Sequence, residues 1–105
     1  MNSNRLETLK TMLDQNPADK FARYGLAMEL ANSGNLEGAV REYRALLQND
    51  ESYAAAYYHG GQALEKLGRV EEARAMYEKG IDVTTRSGDL KTRSELQAAA
   101  DLLPE

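Results

Sequence analysis

The chain has 105 residues, which is enough for one compact domain and too few for two ordinary ones. Its 42% apolar and 29% charged residues are typical of a globular protein, and its net charge of −4 gives no field that attracts nucleic acid or anionic membrane, so we expect neither as a partner. Cysteine is absent, which excludes disulfides, thiolate zinc sites and cysteine nucleophiles.

We expect no targeting signal in the first stretch of the chain. Arg5, Glu7, Lys10 and Asp14 are spread among the apolar positions of residues 1–16, which is unlike a signal peptide or a membrane span. We therefore expect a cytoplasmic protein.

Apolar periodicity predicts six helices and no strand, an all-α fold class. The helices cover about residues 4–15, 19–33, 36–49, 53–67, 70–85 and 89–103. Gly34 and Gly68 each follow a periodic stretch, as a residue that ends a helix in the left-handed conformation does. Asn35 is a good N-cap for the helix that comes next.

An internal repeat with a period of 34 residues relates the first and second halves of the chain. The pairs are Ala27 and Gly61, Leu30 and Leu64, Gly34 and Gly68, Leu36 and Val70, Ala39 and Ala73, and Tyr43 and Tyr77. Since the pairs span both halves of a two-helix unit, the repeating unit is a helix pair.

This pattern resembles the tetratricopeptide repeat, in which an aromatic or bulky residue is followed by Leu-Gly, a bulky residue, Ala, an aromatic residue, Ala and a closing Pro, which both full repeats lack here. In the second repeat these places hold Tyr57, Gly60, Gly61, Leu64, Ala73, Tyr77 and Gly80, and in the first they hold Arg23, Leu26, Ala27, Leu30, Ala39, Tyr43 and Leu46. The resemblance implies an α-solenoid of antiparallel helix pairs in a right-handed superhelix. We predict a single domain over 1–105, made of a half-repeat helix (4–16), repeat 1 (20–53), repeat 2 (54–87) and a capping helix (88–105).

The two terminal helices are predicted to close the stack. Leu6, Leu9, Met12 and Leu13 align by the same offset with Val40, Tyr43, Leu46 and Leu47, so the first helix resembles the second helix of a repeat. In the last helix we expect Lys91, Ser94, Glu95 and Ala98 to face water, and Leu90, Leu96, Ala99 and Leu103 to pack on the opposite side.

A second apolar stripe on the 19–33 helix is the candidate binding site. Its members are Phe21, Tyr24, Met28 and Asn32, and the family resemblance places them in the concave groove, followed by Tyr58 and Gln62. Aromatic and methionine side chains are good peptide anchors. The alternative is that the N-terminal or the closing helix covers these residues and makes them core.

The residues at these positions also indicate the type of ligand. The basic clamp with which some family members hold a terminal carboxylate would stand at Tyr24, Met28, Tyr58 and Gln62, so the resemblance implies a partly apolar protein or peptide ligand here.

The residues offer little for catalysis. His59 is the only histidine, and no nucleophile or metal-ligand pattern surrounds it, so we expect no enzyme activity, no metal and no cofactor. The predicted function is a protein-interaction module or scaffold. The alternative is a structural subunit that associates with itself as a homo-oligomer.

Overall fold

The computed structural model describes residues 3–105, which form six helices and no strand. The helices are α1 Ser3–Gln15, α2 Lys20–Asn32, α3 Leu36–Asn49, α4 Ala54–Lys66, α5 Val70–Ser87 and α6 Leu90–Asp101. The predicted helix number and the all-α class are confirmed. Met1 and Asn2, which the predicted domain includes, lie outside the described residues.

The turns inside the helix pairs have the geometry that their sequence predicts. Gly34 and Gly68 have φ angles of 92° and 80°, in the left-handed region that favours glycine. The Asn35 Oδ1 atom accepts a hydrogen bond of 2.9 Å from the Gly38 N–H and caps α3. Each chain reversal between paired helices therefore needs only a few residues.

The helices stack in the order in which they occur in the chain. α2 packs against α3 and α4 against α5, and α1, α3 and α5 each pack against the helix that follows. α4 also contacts both α2 and α6, so α2, α4 and α6 form one layer and α1, α3 and α5 the other. This is the arrangement of an α-solenoid.

The paired helices approach closely because small residues of one face large residues of the other. The ring of Tyr77 occupies the space where a side chain at Gly61 would stand, and Ala27 and Tyr43 lie in one core cluster of the first pair. Both tyrosine side chains are buried, and burial raises the pKa of each well above the usual tyrosine value, so the hydroxyls stay protonated.

The last helix pair departs from the period by two residues. α5 continues to Ser87 and ends at Gly88, whose φ is 78°, so α6 begins at residue 90, which is 36 residues after the start of α4 at residue 54. The starts of α2 and α4, at residues 20 and 54, are 34 apart.

The outward face of α6 is the predicted one, since Lys91, Ser94, Glu95 and Ala98 are exposed. On the other side of α6, Leu96 is buried and Ala99 is half-buried, and Leu103, which follows the end of the helix, is buried as well. The prediction for Leu90 is wrong, because it is the first residue of α6, beyond the core, and its side chain is 71% exposed.

We expect Gly61→Ala to destabilise the protein by about 1–3 kcal/mol, because the added methyl group overlaps the buried Tyr77 ring. Gly25→Ala is the matched control. Its Cβ would stand 3.1 Å from the flexible end of Leu9, and alanine is favoured over glycine in a helix by roughly 0.5–1 kcal/mol. Urea unfolding of both variants measures the difference, and equal free energies of unfolding would contradict the packing argument.

Candidate functional site

Four of the six predicted groove residues line one cavity. The cavity lies between α1 and α2, has a volume of about 700 Å³, and is called here the amino-terminal cavity. Its lining residues are Arg5, Leu9, Phe21, Tyr24, Gly25, Met28, Glu29, Asn32 and Ser33. Phe21, Tyr24, Met28 and Asn32 are therefore brought together, as their spacing on one helix requires.

A second, smaller cavity joins Gln62 to this surface. It lies between α2 and α4, has a volume of about 200 Å³, and is called here the central pocket. Met28 and Asn32 line both cavities, and Gln62 lines the central pocket. The two cavities therefore adjoin each other at Met28 and Asn32 of α2.

Tyr58 lies apart from the other five residues. It lines neither cavity, is half-buried, and packs against the core cluster that joins α4, α5 and α6. Its ring is 5.3 Å from that of His59, at an angle of 83°. A ligand side chain held between Tyr24 and Met28 is therefore not in the same cavity as Tyr58.

The terminal helices do not cover the exposed end of the stripe. α1 packs beside α2 but leaves 73% of Phe21 exposed, and α6 packs on α4 and α5. Tyr24 differs from Phe21, since it is half-buried among the rings of Tyr43, Tyr53 and His59, with centroids 6.2, 5.3 and 6.0 Å away. Phe21 is therefore accessible to a ligand, whereas contacts within the chain hold Tyr24 in place.

Met28 is also fixed by its neighbours. The hydroxyl of Tyr43 donates a hydrogen bond of 3.0 Å to its sulfur. Burial, with a further contribution from Tyr53, raises the pKa of Tyr24. The aromatic side of both cavities is therefore uncharged at neutral pH.

The sequence did not reveal every residue of the site. The missed residues include Arg5 and Leu9 on α1, and Gly25 and Glu29 on α2. Leu9 forms the floor of the amino-terminal cavity, and Arg5 forms an ion pair of 2.9 Å with Glu29. The sequence signal for Leu9 was its alignment with Tyr43, at a place where the smaller side chain leaves space. Gly25 lets Leu9 approach α2, since a Cβ there would be 3.1 Å from the Leu9 Cδ2 atom.

A third cavity, of about 740 Å³, lies on the opposite face, between α3 and α5. Two ion pairs lie at this cavity, Arg44 with Glu72 at 3.0 Å and Lys79 with Glu51 at 3.2 Å. The charges at this cavity are therefore already paired within the chain.

The described residues contain no group of three or more His, Asp or Glu side chains that could hold a metal ion. Within the same range, none of the helices has the length and apolarity needed to cross a membrane.

Comparison with known proteins decides the family. Residues 54–85, which cover α4 and most of α5, match the family model described as tetratricopeptide repeat. A tetratricopeptide repeat domain protein from Salinibacter ruber is 38% identical, with alignment over 81% of this chain and 86% of that one and a TM-score of 0.76. This chain belongs to the tetratricopeptide repeat family.

Other members of the tetratricopeptide repeat family and proteins of its fold extend the match over most of the chain. The tetratricopeptide-repeat-containing protein PA0015 of Pseudomonas aeruginosa is 25% identical over 91 residues, which are 87% of each chain. The Yersinia enterocolitica type III secretion chaperone SycD, solved with a peptide of the translocator YopD, has a TM-score of 0.74 at 15% identity, covering 89% of this chain and 75% of that one. The last similarity is one of fold.

We expect His59 to make stability depend on pH. Burial lowers the pKa of its imidazole below 6.5, and the nearby Glu95 carboxylate offsets this in part. The unfolded chain then binds a proton that the folded chain does not. Neutral His59 therefore makes its full contribution to the free energy of unfolding above pH ~6.5. This contribution is lost as the pH falls from 6.5 to the lowered pKa of the folded protein.

Chemical denaturation at pH 7.5 and pH 5 measures this loss, and His59→Phe, which keeps an aromatic ring in the cluster, is the control. The variant should lose less stability than the natural protein between the two values of pH. An equal loss of stability in both proteins would mean that carboxylates, and not His59, cause the pH dependence.

Proposed function

We propose that this protein is an interaction module that binds a partly apolar segment of another protein along α2, in the amino-terminal cavity and the central pocket. The observation that carries the proposal is Phe21, a phenylalanine that is 73% exposed at the edge of a cavity of about 700 Å³. Exposed aromatic residues beside a cavity are typical anchors of protein interfaces.

The fixed positions of Tyr24 and Met28 support this proposal. Binding orders side chains, which costs about 0.5–1.5 kcal/mol for each flexible one. Here the contacts of Tyr24 with Tyr43, Tyr53 and His59, and the hydrogen bond from Tyr43 to Met28, already hold the two side chains. Folding has therefore already ordered these two side chains, and binding needs little further ordering of them.

The polarity of the site favours an apolar ligand over a carboxylate. Among the described residues, Arg5 is the one cation that lines the amino-terminal cavity, and it is paired with Glu29, while Lys66 lines the central pocket. The solved complex of SycD with a YopD peptide supports the general proposal, because it is a protein of this fold with a peptide bound. We also expect this site to catalyse no reaction and to bind no cofactor.

We expect Phe21→Glu to weaken partner binding at least about tenfold, or ~1.4 kcal/mol, because a charge replaces an apolar anchor. The matched control is Leu102→Glu, which changes an apolar residue that is 84% exposed on α6. Both positions are exposed, so both variants should fold like the natural chain. The natural protein and both variants serve as baits in an extract of the source cells, and the affinity of each retained protein is then measured with purified components.

Loss of the same partner from both variants, or from neither, would contradict the assignment to α2. If the baits retain only further copies of this chain, self-association replaces the proposal, and the dependence of molecular mass on concentration would show it.

A further inference from the structure

The amino-terminal cavity repeats the central pocket at the period of the sequence. In the central pocket, α4 contributes His59, Gln62, Ala63 and Lys66. The residues 34 positions earlier are Gly25, Met28, Glu29 and Asn32, and all four line the amino-terminal cavity. The floor corresponds as well, since Tyr43 in the central pocket is matched by Leu9.

One wall of the central pocket has no counterpart in the amino-terminal cavity. In the central pocket, α2 supplies that wall through Met28, Ala31 and Asn32. Among residues 3–105, no helix lies in the equivalent place beside α1 and α2. The amino-terminal cavity is therefore a site for one more helix and is called here the helix seat. A helix in this seat would pair with α1 as α2 pairs with α3.

We propose that this seat binds an amphipathic helix of a partner protein, which supplies the missing first helix of the repeat whose second helix is α1. The inference rests on the proposed function and specifies the conformation of the bound segment. α2 and α4 give its size, about 13 residues each. Such a helix is about 20 Å long, enough to span the cavity that Leu9, Gly25 and Met28 line.

Leu9 indicates which side chain the partner helix carries. In the full repeats the second helix has a buried tyrosine, and the first helix has a small residue in the same period position, Ala27 with Tyr43 and Gly61 with Tyr77. Leu9 is smaller than tyrosine, so a small residue opposite it would leave a void. The bound helix therefore has a leucine, methionine or phenylalanine at that position.

The surface of α6 argues against a second copy of this chain as the occupant. α6 is the terminal helix that lacks a following partner helix, and its outward stripe contains exposed Lys91, Ser94 and Glu95. Seating that stripe in the cavity would remove Lys91 and Glu95 from water beside Arg5 and Glu29, which already pair with each other, and this is costly. A helix with an uncharged apolar face meets no such penalty.

The test fuses a helix to the N-terminus of the full chain through a copy of the Ser33, Gly34 and Asn35 turn. Three fusions are compared. The first has leucine opposite Leu9, the second has alanine there, and the third has leucine there and two prolines in the middle of the added helix. We expect the leucine fusion to melt at least about 5 °C above the proline fusion, and the alanine fusion to lie between them. In a Leu9→Tyr background the leucine and alanine fusions should exchange order. Equal melting temperatures for the leucine and proline fusions would overturn the inference.

The same fusions separate this inference from the proposed function. A partner that requires Phe21 should be retained by the proline fusion and lost, at least about tenfold, from the leucine fusion, whose helix fills the seat. Retention by both fusions means that the partner contacts Phe21 without occupying the seat, so the helix seat is wrong and the proposed function stands. If Phe21→Glu changes no partner at all, the proposed function fails, and this inference fails with it.

Discussion

The close approach of paired helices depends on the contact between a tyrosine ring and a residue with little or no side chain. The Tyr77 ring fills the space above Gly61, and the first pair has Tyr43 in one core cluster with Ala27. This contact fixes the distance between the helices of a pair, and so also the position of the next helix. Tyr43 then serves the site directly, since its ring contacts Tyr24 and its hydroxyl donates a hydrogen bond to the Met28 sulfur. The core and the binding surface share this residue.

Most of the fold could be predicted from the sequence because its determinants are local. The period of 34 residues, the turn glycines and the Asn35 cap depend on residues close in the chain, and the helix bounds followed to within about two residues. Leu90 was mispredicted because the extra length of α5 is set by where Gly88 ends it, and the repeat period carries no information about an insertion.

The site was harder to predict than the fold. The stripe of Phe21, Tyr24, Met28 and Asn32 followed from helical spacing, and the structure brings these residues to one cavity. Tyr58 has the same repeat position as Tyr24, and each packs on the core of its own repeat, but Tyr58 lines neither cavity. Leu9 and Arg5 belong to another helix, and no pattern within α2 reveals the wall that faces it.

The order of helix contacts also determines which part of the molecule opens most easily. α1 packs only on α2, whereas α4 is held by four neighbours. In a stack where stability comes from adjacent units, an end unit that has one interface can detach while the remaining helices stay folded. α1 is that unit, and it forms one side of the amino-terminal cavity. A ligand that contacts both α1 and α2 would therefore slow the exchange of α1 amide hydrogens more than those of α5.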